Sequence, residues 1–165
     1  MSDQVKPIPA GYHTVTPYLI IKDAASAIEF YKQAFGAIEL VRMPMPDGRV
    51  GHAELKIGDS PIMLGDEHPE MGYRSVQSYG GSPISIALYV EDCDALFTQA
   101  VAAGAKVERE IKDQFYGDRS GTVADPFGYQ WTISTHKEDV TPEEMHKRMA
   151  AMNCSPTTES QSAAS

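Results

Sequence analysis

The pair His52 and Glu54 has the residue types and spacing for acid–base chemistry. Both lie in the stretch 50–57 (VGHAELKI), where polar and apolar residues alternate. On a β-strand this spacing puts both side chains on one face, where the carboxylate could orient or charge the imidazole for proton transfer. The alternative is a solvated strand face. As a metal site the pair lacks a third ligand, for which His13 is the nearest candidate in the sequence.

Acidic residues and one histidine cluster at the end of the predicted strand 60–66. Asp66, Glu67, His68 and Glu70 lie close together in the sequence, and such a group can bind a divalent ion. A charged surface loop between two structural units is the commoner arrangement. The sequence leaves both interpretations open.

The loop at 113–121 (DQFYGDRSG) is the most distinctive in the chain. Phe115 and Tyr116 could close over a ligand, and Arg119 could pair with its carboxylate or phosphate group. Alternatively, Asp118 and Arg119 form a local turn and the two aromatic residues lie in a dimer interface.

The elements that must position these residues follow one plan, which the chain uses twice. Asp23 and Asp92 precede apolar residues at helical spacing and can cap a helix, and a glycine ends each predicted helix. Apolar or alternating segments around each helix predict strands. An internal repeat of this size indicates one supersecondary unit used twice. The predicted strands are 14–21, 37–43, 50–57, 60–66, 84–90, 105–111, 119–125 and 129–135.

The repeat predicts a single domain over residues 1–139, with modules at about 14–66 and 82–136. A Thr-Pro-Glu-Glu capping box then predicts a helix over 140–152. Residues 153–165 are small and polar, which is typical of a mobile tail.

Composition narrows the class of protein. The chain has 165 residues and a net charge of −9, which argues against nucleic-acid binding because that function needs clustered Lys and Arg. No apolar run approaches the roughly 18 residues of a membrane span, and the first residues lack the pattern of a secretion signal. Cys93 and Cys154 do not form a disulfide framework, which favours a reducing compartment. We therefore predict a cytoplasmic protein that binds neither nucleic acid nor membranes.

Four stretches carry a family resemblance: PYLIIKDAASAIEFYKQAFGA, HAELKIGDSPIML, LYVEDCDALFTQAVAAGA and GTVADPFGYQWTI. Together they resemble the glyoxalase/bleomycin-resistance superfamily, also called vicinal oxygen chelate, over about residues 14–136. Within that superfamily, HAELKIGDS, DQFYGDRSG and THKEDVTPEEM look most like the PhnB-like branch. The resemblance is specific for fold and carries little information on function.

The resemblance implies an α+β fold of two βαβββ modules, whose curled mixed sheets form a cup with the helices outside. Members often form homodimers. Metal-dependent members take one ligand from the first and one from the last strand of each module. The aligned positions here are Thr16, Met63, Ser85 and Thr132. Because hydroxyl and thioether groups are poor ligands for a divalent ion, no metal site or other cofactor is predicted.

The same alignment predicts the residues that line the cup. Tyr18 and Tyr89 share a strand face with aligned positions, and Phe115, Tyr116 and Arg119 complete the expected ligand-binding set with the four aligned residues. A cup of aromatic, thioether and hydroxyl groups suits a small polar-aromatic ligand.

Three functions remain open. The first is a small-molecule binding homodimer that sequesters a metabolite or an antibiotic. The second is a superfamily enzyme of the lyase, isomerase or dioxygenase type, which uses His52 and Glu54 or a non-standard metal site. The third is a structural or regulatory dimer without a ligand.

Overall fold

Each half of the chain folds into a four-stranded mixed sheet with one helix packed on it. The computed structural model describes residues 5–153. The sheets have the orders β1-β4-β3-β2 and β5-β8-β7-β6, and in each the first pair is parallel and the others are antiparallel. The elements are β1 Tyr18–Ile21, α1 Ala24–Phe35, β2 Ile38–Pro44, β3 Val50–Ile57, β4 Ser60–Asp66, β5 Ser85–Tyr89, α2 Cys93–Ala102, β6 Lys106–Asp113, β7 Asp118–Ala124, β8 Gln130–His136 and α3 Pro142–Asn153.

This architecture confirms the predicted α+β fold of two βαβββ modules. We call β1–β4 with α1 module 1, and β5–β8 with α2 module 2. Two short 3-10 helices, Pro69–Met71 and Val76–Tyr79, lie in the connection between them. Residue 153 ends α3, and the rest of the predicted tail lies outside the described residues. No helix among residues 5–153 is long and apolar enough to cross a membrane.

Equivalent contacts begin the two central helices. Asp23 and Asp92 each accept a hydrogen bond from a backbone N–H three residues later, at 3.1 and 2.9 Å, as expected for N-caps. The first N–H of α1 donates to Asp66 Oδ1, and the first N–H of α2 donates to Thr135 Oγ1, both at 2.9 Å. The last strand of each module therefore holds the start of that module's helix.

The two helices lie between the two sheets. Trp131 of β8 is fully buried and contacts Phe35 and Tyr31 of α1, with ring centroids 4.6 and 5.2 Å away. The helix-facing sides of both sheets, including Ile62 and Leu88, line one cavity of about 890 Å³. Because these sides face each other, the opposite sides of the sheets point away from each other. We call each of these opposite sides the open face of its module.

The Asp125 carboxylate joins the two modules. Its Oδ2 accepts hydrogen bonds from Tyr31 of module 1 and from Trp131 Nε1, both at 2.8 Å. Its Oδ1 accepts from the backbone N–H groups of Phe127 and Tyr129, both at 2.9 Å. Burial raises the pKa of Tyr31 well above its usual value, and the adjacent Asp125 carboxylate raises it further.

Candidate functional site

Strand alternation divides module 1 into a helix-facing side and an open face. Leu19, Ala53 and Leu64 are buried against the helix, so their neighbours along the strands point to the opposite side. In the register, Met63 lies beside Tyr18 on one flank and beside Glu54 on the other. The open face therefore carries four of the predicted site residues, Tyr18, His52, Glu54 and Met63.

A chain of hydrogen bonds crosses this face. Tyr18 Oη lies 3.1 Å from His52 Nδ1, and His52 Nε2 lies 3.1 Å from Glu54 Oε1. The hydroxyl of Tyr12 donates to the other carboxylate oxygen, Oε2. The spacing of His52 and Glu54 thus brings the two side chains into contact, as expected for residues two apart on one strand. Their catalytic role stays a prediction.

In this chain of hydrogen bonds, Glu54 carries the negative charge. Hydrogen bonds from Tyr12 and then from His52 lower the pKa of the carboxyl. In return, the hydrogen bond to Glu54 raises the pKa of Tyr12 to about 12. Burial raises the pKa of Tyr18. At neutral pH the face therefore presents an ionised carboxylate between protonated phenols.

The segment before β1 lies over part of this face. Residues 7–14 and the sheet border an open cavity of about 510 Å³. Its walls are Pro7, Ile8, Pro9, Tyr12, His13, Thr14, Glu54 and Met63. Tyr12 was not predicted from the sequence, because a contact between residues 42 positions apart leaves no local pattern. We call residues 7–14 the strap.

A second cavity of about 460 Å³ lies at the other end of the module 1 face. Tyr18, Met45, Met71 and Tyr73 line it, together with Ile20, Gly51, Asp66 and His68. Gly65 lies under Tyr18: a Cβ there would come within 3.2 Å of the Tyr18 hydroxyl and 2.9 Å of a backbone oxygen. Glycine therefore lets the phenol lie across β4.

The acidic cluster at the end of β4 forms separate contacts. Asp66 accepts from the backbone N–H groups of residues 24 and 50, at 2.9 and 2.6 Å. Glu67 accepts from the backbone N–H of Ser75 at 3.0 Å, while His68 Nδ1 lies 3.3 Å from Glu70. These carboxylates stabilise a loop and a helix start, which agrees with the charged-loop interpretation rather than with an ion site.

The open face of module 2 has a cavity lined by charged as well as hydroxyl groups, since Arg109, Glu110 and Lys112 of β6 are among its lining residues. The hydroxyls of Thr122 and Thr132 are 3.1 Å apart, and they line a cavity of about 450 Å³ beside Phe115 and Tyr116. The two aromatic rings meet edge to face, with centroids 5.2 Å apart. Predicted ligand-binding residues Phe115, Tyr116 and Thr132 therefore border one cavity.

A second hydrogen-bonded chain runs from this face to the end of β8. Tyr89 donates to Asp118 Oδ2 at 2.7 Å, and His136 Nδ1 lies 2.7 Å from Asp118 Oδ1. His136 Nε2 lies 3.0 Å from Asp139. The hydrogen bond to Asp118, followed by that to Asp139, raises the pKa of His136. Tyr89 was predicted from strand alternation; Asp118 and His136 were not, because no spacing rule links them.

Arg119 needs a correction. The predicted loop 113–121 contains the end of β6 and the start of β7, and Arg119 lies on the helix-facing side of β7. Its Nε and Nη2 donate to the two oxygens of Asp94 at 2.7 Å, and Nη1 donates to Asp113 at 3.2 Å. The guanidinium is therefore held at the start of α2, away from the open face, and is not available to a ligand there.

The positions aligned with superfamily metal ligands are divided between the two open faces. Met63 and Thr132 lie within their sheets, Thr16 precedes β1, and Ser85 begins β5 as an exposed residue. Among residues 5–153 there is no group of three or more His, Cys, Asp or Glu side chains placed to hold a metal ion. His52 and Glu54 have phenols and a thioether around them. Phenol and thioether groups are poor ligands for the divalent metal of the superfamily, so the neighbours of His52 and Glu54 do not complete a metal site.

Comparison with known proteins identifies the family of the chain. The sequence profile described as Glyoxalase/Bleomycin resistance protein/Dioxygenase superfamily matches residues 12–133. The chain belongs to this superfamily. An uncharacterized Mycobacterium tuberculosis protein, Rv0887c, is 45% identical over 140 residues, which cover 83% of this chain and 82% of the relative.

Solved structures agree with the fold. The Arabidopsis thaliana At5g48480 gene product superposes with a TM-score of 0.61 at 29% identity, covering 74% of this chain and 98% of that one. TioX from Micromonospora sp. ML1 gives 0.60 at 26% identity, covering 75% and 98%. Membership of the superfamily fixes the fold, whereas the activity must be argued from the site.

Proposed function

We propose that this protein binds a small molecule and sequesters it, as expected for a metabolite- or antibiotic-binding member of the superfamily. The observation that carries the proposal is the pair of open faces. Each carries a cavity of about 450 to 510 Å³, within the range of ordinary ligand pockets. Aromatic, apolar and hydroxyl groups form much of the walls. Glu54 supplies a charge in module 1, and Arg109, Glu110 and Lys112 supply charges in module 2.

A homodimer is part of this proposal. The two open faces point apart within one chain, so a cup that uses both must take one face from a second copy. β1 and β5 are edge strands, and strand edges are available for such an approach. Tyr18 and Tyr89 on these strands are 46% and 67% exposed. A second copy that covered them would complete the cup.

A thermal-shift screen against metabolites and aromatic antibiotics tests ligand binding. A compound at a hundred times its dissociation constant should add about 2.7 kcal/mol of stability. Absence of any stabilising compound in a broad screen would contradict sequestration.

Mixing two variants tests the shared cup. One chain carries Glu54→Lys in module 1 and the other carries Thr132→Trp in module 2, and each alone should lose the screened ligand. After exchange by dilution and reconcentration, half of the dimers are mixed, so about one quarter of the cups regain two intact faces. No recovery, with exchange verified by mass spectrometry, would show that the cup is not shared.

The hydrogen-bonded pair favours one alternative, an enzyme in which His52 and Glu54 transfer protons. Loss of turnover in His52→Ala, with ligand binding retained, would support it. If His52→Ala left both binding and turnover unchanged, the alternative would fail. Placement in the PhnB-like branch and a cytoplasmic location remain predictions from the sequence.

A further inference from the structure

We propose that the cavity between the strap and the module 1 face binds a small protonated amine with an apolar or aromatic body. The inference rests on the proposed small-molecule binding and names the chemical class of the ligand. It depends on the direction of the hydrogen bonds among Tyr12, Glu54, His52 and Tyr18, and on the charge of the cavity wall.

Within this hydrogen-bonded chain, each polar hydrogen is donated to another member of the chain. An ionised carboxylate only accepts hydrogen bonds, so Tyr12 donates to Glu54 Oε2 and His52 Nε2–H donates to Oε1. When the imidazole is neutral, Nδ1 has a lone pair and accepts from Tyr18. The groups at the centre of the face therefore offer a ligand lone pairs and no hydrogen. A ligand must therefore donate a hydrogen bond to these lone pairs, because a ligand group that only accepts hydrogen bonds would find no donor here and would be left without a partner.

The charge of the wall points the same way. Glu54 is ionised, and among residues 5–153 no Lys or Arg lines the cavity. Tyr12, His13 and Thr14 are the other polar side chains of the lining, and His13 and Thr14 are exposed on the strap. An anionic ligand would meet Glu54 without a cation to offset it, whereas an ammonium would form a charge-assisted hydrogen bond.

The rest of the cavity suits an apolar body. Pro7, Ile8 and Pro9 of the strap form one wall and Met63 of β4 forms the other. The Tyr12 ring can add an attractive contact to a cation at its face. Tyr12 already donates to Glu54 Oε2, so its hydroxyl occupies the place that the ligand's N–H would take. Ligand binding would displace this phenol from the carboxylate.

Three matched probes test the inference: benzylammonium, benzyl alcohol and benzoate, titrated into ¹⁵N-labelled full-length protein. Benzylammonium should shift the backbone amide signals of residues 8–14 and of β3 at lower concentration than the other two. Glu54→Gln should weaken benzylammonium at least tenfold, whereas Glu108→Gln, an exposed residue on β6, should leave its affinity unchanged. Thermal unfolding of each variant verifies that it is folded.

The strap makes a separate prediction. Tyr12→Phe removes the competing donor and should strengthen benzylammonium binding, while Tyr79→Phe, an exposed tyrosine outside the site, should not. Weaker binding to Tyr12→Phe would overturn the assignment of the phenol as the displaced group.

The outcomes separate this inference from the proposed function. Equal binding of benzoate or benzyl alcohol at this cavity would overturn the amine assignment and leave small-molecule binding intact. The same holds if the broad screen yields a ligand whose affinity Glu54→Gln does not change. If neither the probes nor the screen yields any ligand, both proposals fail.

Discussion

Replacing Asp125 by Asn should destabilise the whole protein, because this side chain satisfies donors from both modules. The carboxylate accepts four hydrogen bonds, two from backbone N–H groups at Oδ1 and two from Tyr31 and Trp131 at Oδ2. In Asp125→Asn the amide oxygen can keep the two backbone bonds, which turns Nδ2 toward the two side-chain donors. Tyr31 can rotate its hydroxyl and accept, but the indole of Trp131 only donates.

The magnitude follows from these contacts. A buried N–H left without an acceptor costs about 1–3 kcal/mol. The two backbone hydrogen bonds lose about 1 kcal/mol each when their acceptor is no longer charged, and the reversed hydrogen bond with Tyr31 loses about as much. Burying a neutral amide in place of a carboxylate offsets part of this loss. We expect a net loss of about 3 kcal/mol, which for a chain of this size lowers Tm by roughly 10 °C.

Thermal unfolding followed by circular dichroism measures the effect, with Asp59→Asn, an exposed residue, as the control. Asp59→Asn should change stability by no more than about 0.5 kcal/mol. Adding Trp131→Phe to Asp125→Asn removes the orphaned donor, so the two losses should fall short of additivity by about 1 kcal/mol or more. A Tm change below about 3 °C for Asp125→Asn, or strict additivity, would refute the reasoning.

Three further predictions concern His136, Gly65 and Arg119. The pKa of His136 is raised in the folded protein, so this histidine stabilises the fold below its unfolded pKa of about 6.5, and the stabilisation is lost as the pH rises through the folded pKa. His136→Gln should therefore lower Tm more at pH 6 than at pH 9. An equal loss at both pH values would contradict the ion pair with Asp118. Gly65→Ala should displace Tyr18 and cost about 1–3 kcal/mol, seen as a lower Tm and weaker ligand binding. Arg119→Gln should leave benzylammonium affinity unchanged, whereas a tenfold loss would return this residue to the site.

Local patterns were sufficient for the strands of module 1 that carry the acid–base pair. The predicted bounds of β3 and β4 agree with the structure, because strict alternation and a Gly58-Asp59 turn define both strands. β1 begins at Tyr18 rather than at residue 14, since Pro17 has no N–H to add to the ladder. The sequence therefore predicts the strands β3 and β4 with their bounds, but not the first residue of β1.

The contacts that decide the chemistry were harder to predict. Residues 113–121 are predicted from the sequence as a loop that overlaps the predicted strand 119–125, so the sequence does not fix the side on which Arg119 lies. Once β7 begins at Asp118, alternation puts Arg119 on the side of Gly121, where an added Cβ would meet Phe97 of α2. Tyr12 is a different case, because its contact with Glu54 joins two segments that only the tertiary fold brings together.

The repeat identifies equivalent positions on the two open faces. Asp66 and Thr135 hold the starts of equivalent helices, so the residues three positions earlier, Met63 and Thr132, are equivalent as well. Their cross-strand partners are Glu54 in module 1 and Thr122 in module 2.

The same position therefore carries a carboxylate on one face and a hydroxyl on the other. A cup that combined one face of each kind would have the Glu54 carboxylate on one wall and the Phe115–Tyr116 pair on the other, with the charged side chains of β6 at the border of that second wall. Such a cup would orient a ligand with its ammonium toward Glu54 and its apolar end toward the two rings. Exchanging the two residues, Glu54→Thr with Thr122→Glu, would then reverse the preferred orientation, which distance-dependent relaxation from a spin-labelled amine would detect.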